Sequence, residues 1–212
     1  MSKNLPAPVS KANPEPEIDS EYNRKSSLWY AIFLWLVAFC AIAFASPSDA
    51  SQELISKGTG TVVYVTDGDT MTINPDQNED LKALRAAARD AQERYQRQGN
   101  LNSIFDPQRE TFRTRIGNIN TAESVHPDES RNSAAGEKAS KVAKKLMTGK
   151  RVTFACWEIG YYFRPICSVW TDDFEFGMTM IRNQFSRYVT KYGKHPFWHT
   201  QYLESEASAG GQ

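Results

Sequence analysis

Residues Leu28 to Ala45, LWYAIFLWLVAFCAIAFA, are eighteen consecutive positions without a charge, and this run divides the chain. A helix needs about 17–25 apolar residues to cross a bilayer core, so the run sits at the short end of a single span. Trp29, Tyr30 and Trp35 suit a membrane setting. Arg24 and Lys25 precede the run, while Asp49 and Glu53 come after it. The positive-inside tendency then keeps the N-terminus in the cytoplasm and exports the chain beyond Ser46. The expectation is a single transmembrane helix over residues 28–46 of a bacterial-type inner membrane, with an extracytoplasmic, periplasmic domain behind it. A cleaved signal peptide and secretion is the alternative, because Ala43-Phe44-Ala45 has the small-x-small pattern of a cleavage site. The anchor is favoured because 27 residues are long for a signal n-region and include Glu15, Glu17, Asp19 and Glu21. A buried core helix is the third reading.

A chain of 212 residues, 40% hydrophobic, has room for one domain plus appendages. Residues 1–27 carry Pro6, Pro8, Pro14 and Pro16 among Ser, Asn and Glu, a composition that buries too little apolar surface to order itself. Residues 47–57 read as a linker, and the globular part as 58–209. The formal net charge is zero, which excludes the uniformly basic surface of a nucleic-acid scaffolding protein and requires any such ligand to be held by local charge.

Thr61–Val65 and Thr70–Ile73, rich in β-branched and aromatic residues, read as two strands joined at Asp67-Gly68-Asp69. A segment at about 76–108 comes next, and its Glu79–Arg97 part is helical by propensity. Its charges alternate and only Leu81, Leu84, Ala88 and Tyr95 form an apolar stripe, so a solvated helix is the expectation, with a protein partner for residues 79–98 as the functional alternative. Phe112–Ile119 returns to strand character, Ala134–Met147 has helical spacing, and Arg151–Trp157 with Pro165–Trp170 reads as a hairpin. Helices over Phe176–Arg187 and near Thr200–Ala209 close the chain. Short strands with inserted and appended helices predict an α+β fold around a small barrel.

The ordered set VVYVTDGDTMTI, RIGNINTAESVHP, YYFRPICSVW and MTMIRNQFSRYV resembles the staphylococcal nuclease (thermonuclease) family. The resemblance covers about Gly58 to Ala209 and is interrupted by the helical insertion. It implies a five-stranded OB-fold β-barrel with flanking helices, Ca²⁺ as cofactor, DNA or RNA as substrate, and sugar-nonspecific cleavage that leaves 3′-phosphates. By match to the family, Asp69, Asn120 and Thr121 would hold the metal, Thr121 through its backbone carbonyl. Arg115 and Arg164 would grip the phosphate, Glu123 would be the general base, and Tyr162 and Tyr192 would contact the nucleotide.

The chemistry asks for such groups in its own right. Phosphodiester hydrolysis needs a positioned water, positive charge on the phosphate and donors for the developing equatorial charge. A guanidinium can grip a pair of phosphate oxygens. Standing alone, Asp67 and Asp69 are turn residues, Glu123 is a loop carboxylate and the two tyrosines are partial core. Two departures weaken the match. Asn120 stands where the best-known member has a second ligating aspartate, so a metal would find one charge fewer, and Gly160-Tyr161-Tyr162-Phe163 replaces the usual Asp-Lys-Tyr-Gly before the arginine.

Lys138, Lys141, Lys144, Lys145, Lys150 and Arg151 make a dense basic run, read first as a solvated helix face. His126 reads as a turn residue, and His195 and His199 lack a third metal ligand. Cys156 and Cys167 fall on strands expected to be adjacent, either as a disulfide, which export would permit, or as ordinary core cysteines. Two functions are compatible with these residues: a membrane-anchored, metal-dependent nuclease, or a catalytically weakened OB-fold module that binds nucleic acid or protein in a membrane assembly.

Overall fold

A computed structural model describes residues 53–124, 130 and 132–210. The apolar run at 28–45, the tail before it and His126 lie outside the described residues. Among those described, no helix is long and apolar enough to cross a membrane.

Among the described residues, six strands and four α-helices succeed one another: β1 Ser56–Asp67, β2 Thr70–Pro75, α1 Asn78–Arg94, β3 Phe105–Asp106, β4 Thr111–Ile116, α2 Ala134–Met147, β5 Arg151–Ile159, β6 Pro165–Trp170, α3 Phe176–Arg182 and α4 His199–Gly210. β1 is long enough to serve two neighbours. Its first half pairs with β5 from Ser56↔Cys156 to Thr61↔Arg151, and its second half pairs with β2 from Gly60↔Pro75 to Asp67↔Thr70. Two register shifts, at Val62/Tyr64 and Val65/Asp67, bend its second half along β2, as bulges do. β2 continues to β4, β4 runs parallel to β6, and β6 returns antiparallel to β5. These pairings close a five-stranded barrel, with the two-residue β3 appended to β4. Closure leaves no edge inside the ring for another chain to pair with. The architecture is the α+β, five-stranded barrel with flanking helices that the OB-fold resemblance implies.

The core is filled from the alternate positions of these strands, among them Val62, Val65, Met71, Ile73, Phe112, Ile116, Phe154 and Val169. Cys156 and Cys167 stand opposite each other in the β5–β6 register and form a disulfide, which resolves the alternatives left open for them. The first strand begins at Ser56, two residues inside the segment read as linker.

The solvated-helix expectation for α1 is overturned. Leu81, Leu84, Ala88 and Ala91 are buried, and the helix lies on β1, β2 and β5. The stripe looked thin because half of it is alanine, whose small side chain lets the helix approach the barrel closely. Lys82, Arg89, Asp90 and Glu93 stay exposed, the face a protein partner would meet. The helix expected over Phe176–Arg187 stops at Arg182: Asn183 caps it, and Gln184 turns left-handed with φ of 59°.

Candidate functional site

The β1–β2 turn, the end of β4 and the start of β6 meet at one place on the barrel. Thr70 is paired with Arg115, and Arg115 with Ile166, so Asp69, Arg115 and Arg164 are brought together by strand register alone. The turn is set locally: Asp67 accepts a hydrogen bond from the Asp69 amide through Oδ1 at 3.1 Å. Gly68 then presses against Thr121, where an added Cβ would come within 2.6 Å of the threonine hydroxyl.

Asp69 is the hub. It is 2% exposed. Its Oδ1 accepts from Arg115 Nη1 at 2.5 Å and from the Thr70 hydroxyl at 3.2 Å. Its Oδ2 accepts from the Thr121 amide and the Thr121 hydroxyl, both at 3.0 Å. Burial pushes the carboxyl up to about 6 against the pull of Arg115 and the Thr121 donors, and Asp67 adds to the rise. Arg115 spans three acceptors, since beside its bond to Asp69 its Nη2 donates to Asn120 Oδ1 at 2.8 Å and to the Ile119 carbonyl at 3.2 Å. Its side chain keeps 22% of its exposure.

Arg164 arrives from the other side. Its Nη1 donates to Thr70 Oγ1 at 3.0 Å, and that hydroxyl donates in turn to Asp69. The two arginines therefore converge on one dipeptide, Asp69-Thr70. Burial and the like charges of Arg115 and Arg113 hold the Arg164 guanidinium below its ordinary range. Arg113 is a third cation, one that the spacing of the motifs does not single out. It lies two positions before Arg115 on β4, and its Nε is buried with no partner among the described residues. Three guanidinium groups against Asp69 and Asp67 leave a local surplus of positive charge, the kind of field that collects an anion.

A divalent cation is another matter. An ionised carboxylate offers about four acceptor positions, and four protein donors already use those of Asp69. Thr121 meets Asp69 with its amide and hydroxyl, both donors, and Asn120 gives its amide oxygen to Arg115. As they stand, these residues do not fit a divalent cation. No cluster of three or more His, Cys, Asp or Glu suited to a metal occurs among the described residues.

Glu123 follows Thr121 by two residues and is half-buried. Its backbone is fixed by α2: Ser133 donates its amide to the Glu123 carbonyl at 3.1 Å, and a Cβ on Gly136 would come within 2.0 Å of that oxygen. Only glycine lets the helix start so close to the loop. No described residue bonds the Glu123 carboxylate. The preceding loop is held from the C-terminal side, where the Ser186 hydroxyl accepts from the Asn120 amide at 2.8 Å and Asn118 Nδ2 donates to the carbonyls of Val189 and Gly193, each at 2.9 Å.

Tyr162 is 66% exposed at the tip of the β5–β6 hairpin, two residues from Arg164. Tyr192 is 83% exposed, next to Gly193 and with Lys191 near its ring. The structure brings Asp69, Asn120, Thr121, Arg115 and Arg164 into one hydrogen-bonded group and leaves both tyrosines outside it. The lysines of α2 are exposed, as a solvated face requires.

His195 and His199 do not share a helix, since α4 begins at His199. His195 is buried, its Nδ1 accepts from the amides of Phe197 and Trp198, and its Nε2 therefore donates to Ser168 Oγ at 2.5 Å. Burial pushes it down to about 4, which keeps it neutral. It packs on Trp157, Trp198 and Tyr202. Tyr202 donates to Glu175, the N-cap of α3, at 3.1 Å.

A family-model match supports a nuclease-like domain. Residues 113–212 match the family model described as staphylococcal nuclease homologue, a span that takes in β4 from Arg113 onward, Glu123, the β5–β6 hairpin and both C-terminal helices. No curated protein matches the chain.

Proposed function

We propose that the chain is a nuclease that hydrolyses phosphodiester bonds of DNA or RNA. The observation that carries this is the convergence of Arg115 and Arg164, from two different strands, on the single dipeptide Asp69-Thr70. A phosphate that displaced the Asp69 contact would find two guanidinium groups already aimed at one point, with Arg113 adding charge behind them. Such donors stabilise the charge that builds on the equatorial oxygens as water adds to phosphorus. Glu123 takes the proton of the attacking water, the phosphorus–oxygen bond to the leaving group breaks, and the leaving oxygen is protonated from solvent. Asp69 stays behind as the counter-ion that holds Arg115 in place between turnovers.

Calcium enters this proposal as a cofactor that Asp69, Asn120 and Thr121 could hold only after Arg115 has turned from Asp69 to a phosphate.

The filled acceptor positions of Asp69 and the missing charge at Asn120 favour a second reading, a module that binds nucleic acid without cutting it. One assay separates the two. Purified protein is incubated with single-stranded DNA or RNA in the presence of Ca²⁺, Mg²⁺, Mn²⁺ or a chelator. Cleavage that falls at least about a hundredfold in Glu123→Ala and Arg164→Ala supports the nuclease. Oligonucleotide binding with no cleavage in any arm supports the module and sinks the enzyme.

We also propose that residues 28–46 anchor the chain and that the domain lies outside the cytoplasm, a compartment in which the Cys156–Cys167 bond would persist. Protease accessibility in spheroplasts, stripped of the outer membrane but with the inner membrane intact, tests this placement. Protection of the domain until the membrane is broken would overturn it.

A further inference from the structure

The helical insertion grips the hairpin that carries Arg164, and it does so at every second residue. Tyr95, the C-cap of α1, donates its hydroxyl to the Ile159 carbonyl at 3.2 Å. Arg97 Nη1 donates to the Tyr161 carbonyl at 3.1 Å, and the same guanidinium lies over the Tyr161 ring, 3.9 Å from its centroid. Phe163 is buried against Gly99, where an added Cβ would come within 2.6 Å of its ring. Its φ of 63° is left-handed, a conformation that costs a phenylalanine energy and persists only where the surroundings hold it. Gly99 is itself tied back to α1, since Gln92 Nε2 donates to its carbonyl at 2.8 Å. Residues 159, 161 and 163 are thus held by the insertion, and Arg164 is the next residue along.

Arg164 needs such a hold. Its guanidinium donates to the neutral hydroxyl of Thr70, while burial and the like charges of Arg115 and Arg113 work against it there. A long charged side chain in that position would gain freedom and hydration by swinging out, and a mobile tip would let it. The hairpin's own bonds, from the Gly160 amide to the Arg164 carbonyl at 2.9 Å and from the Phe163 amide to the Gly160 carbonyl at 2.8 Å, close the tip on itself without fixing its direction. We infer that Tyr95 and Arg97 are positioning residues, which clamp the hairpin tip so that Arg164 stays aimed at the phosphate position beside Arg115. A site whose cations are in place before the ligand arrives loses none of its binding energy to ordering them. The inference rests on the reading of Arg164 as a phosphate ligand and adds to it a role for the insertion.

The test is a double-mutant cycle on the full chain, read by fluorescence anisotropy with a labelled single-stranded oligonucleotide and chelator present. Arg97→Ala is expected to weaken binding about tenfold when Arg164 is present and to have no further effect in Arg164→Ala, because a residue that acts through Arg164 then has nothing left to position. Tyr95→Phe, which keeps the ring and deletes only the hydroxyl bond, should show the same dependence on Arg164 at about two- to threefold. Tyr95 and Arg97 are both partly exposed, and thermal melting checks that each variant is folded. An equal loss in both backgrounds, the mark of a cation that touches the strand itself, overturns the clamp and leaves the phosphate site standing. So does the absence of any loss from Arg97→Ala and Tyr95→Phe when Arg164 is present. If Arg164→Ala alone leaves affinity unchanged, the phosphate reading fails and the clamp fails with it.

Discussion

Two buried carboxylates, Asp69 and Glu175, sit in the same barrel domain and do opposite work. Burial raises both, to about 6 and to about 7. Glu175 answers burial with neutral donors, the Met178 amide at 2.7 Å and the Tyr202 hydroxyl. That cluster is closed by aromatic rings and clamps α4 onto α3. Asp69 answers burial with an arginine that remains partly exposed, and two further arginines crowd behind it. A closed, neutral arrangement can only hold structure together, whereas surplus positive charge beside an opening can exchange one anion for another. On the function proposed above, that difference separates the buried acid of the ligand site from the structural one, although both are displaced in the same direction.

The widest test of this contrast removes one member from each region. Tyr202→Ala empties the centre of the closed cluster and should cost about 3–5 kcal/mol of stability by urea denaturation, with cleavage per folded molecule unchanged. Arg164→Ala should do the reverse, lowering cleavage and oligonucleotide affinity by about a hundredfold, about 3 kcal/mol, with an unaltered melting temperature. If Arg164→Ala unfolds the protein as readily as Tyr202→Ala does, the two regions are not distinct.

Next come the pH profiles. Glu175 has a raised folded value, so its contribution to stability is full below about 4.5 and is lost as pH rises through about 7. His195 is displaced downward, from 6.5 to about 4, so its contribution is present above 6.5 and lost as pH falls through about 4. Between about 4.5 and 6.5 the two slopes oppose each other. Glu175→Gln keeps the cap and removes one slope, so stability should then rise more steeply with pH over that window, as urea midpoints at pH 5 and pH 6.5 would record. At the site, protonating Asp69 below about 6 frees Arg115 of its counter-ion. Oligonucleotide affinity should therefore tighten several-fold from pH 7.5 to pH 5, and Asp69→Asn should flatten that rise. The smallest effect belongs to the exposed helix face: replacing Lys138, Lys141 and Lys145 together should weaken binding about two- to threefold and lessen its salt dependence.

Much of the barrel was legible because most of its strands are short, β-branched and punctuated by turn residues, and the Ala134–Met147 helix was read to the residue. The site was legible as a set of side chains, though not as a geometry. Nothing in the spacing of Asp69, Arg115 and Thr121 announces that four donors would close on one carboxylate, because the donors come from three separate stretches of chain. Arg113 could have been found, since strand alternation places it on the same face as Arg115. The packing of α1 was missed because Ala88 and Ala91 carry little hydrophobic signal. The end of α3 was missed because Asn183 and Gln184 stop it in place of the usual Gly or Pro. His195 offered no signal at all, as its burial depends on rings from Trp157, Trp198 and Tyr202.

The disulfide bears on how such a domain could change its diet. Cys156 and Cys167 stand eleven residues apart, and the covalent loop between them contains Tyr161, Tyr162, Phe163 and Arg164. A tip sealed at its base can be redrawn one residue at a time while the barrel beneath it keeps its register. Variation in that loop would be cheap for the fold and consequential for the ligand, which makes it the place to look for divergence among natural relatives and the place to begin redesigning preference in the laboratory.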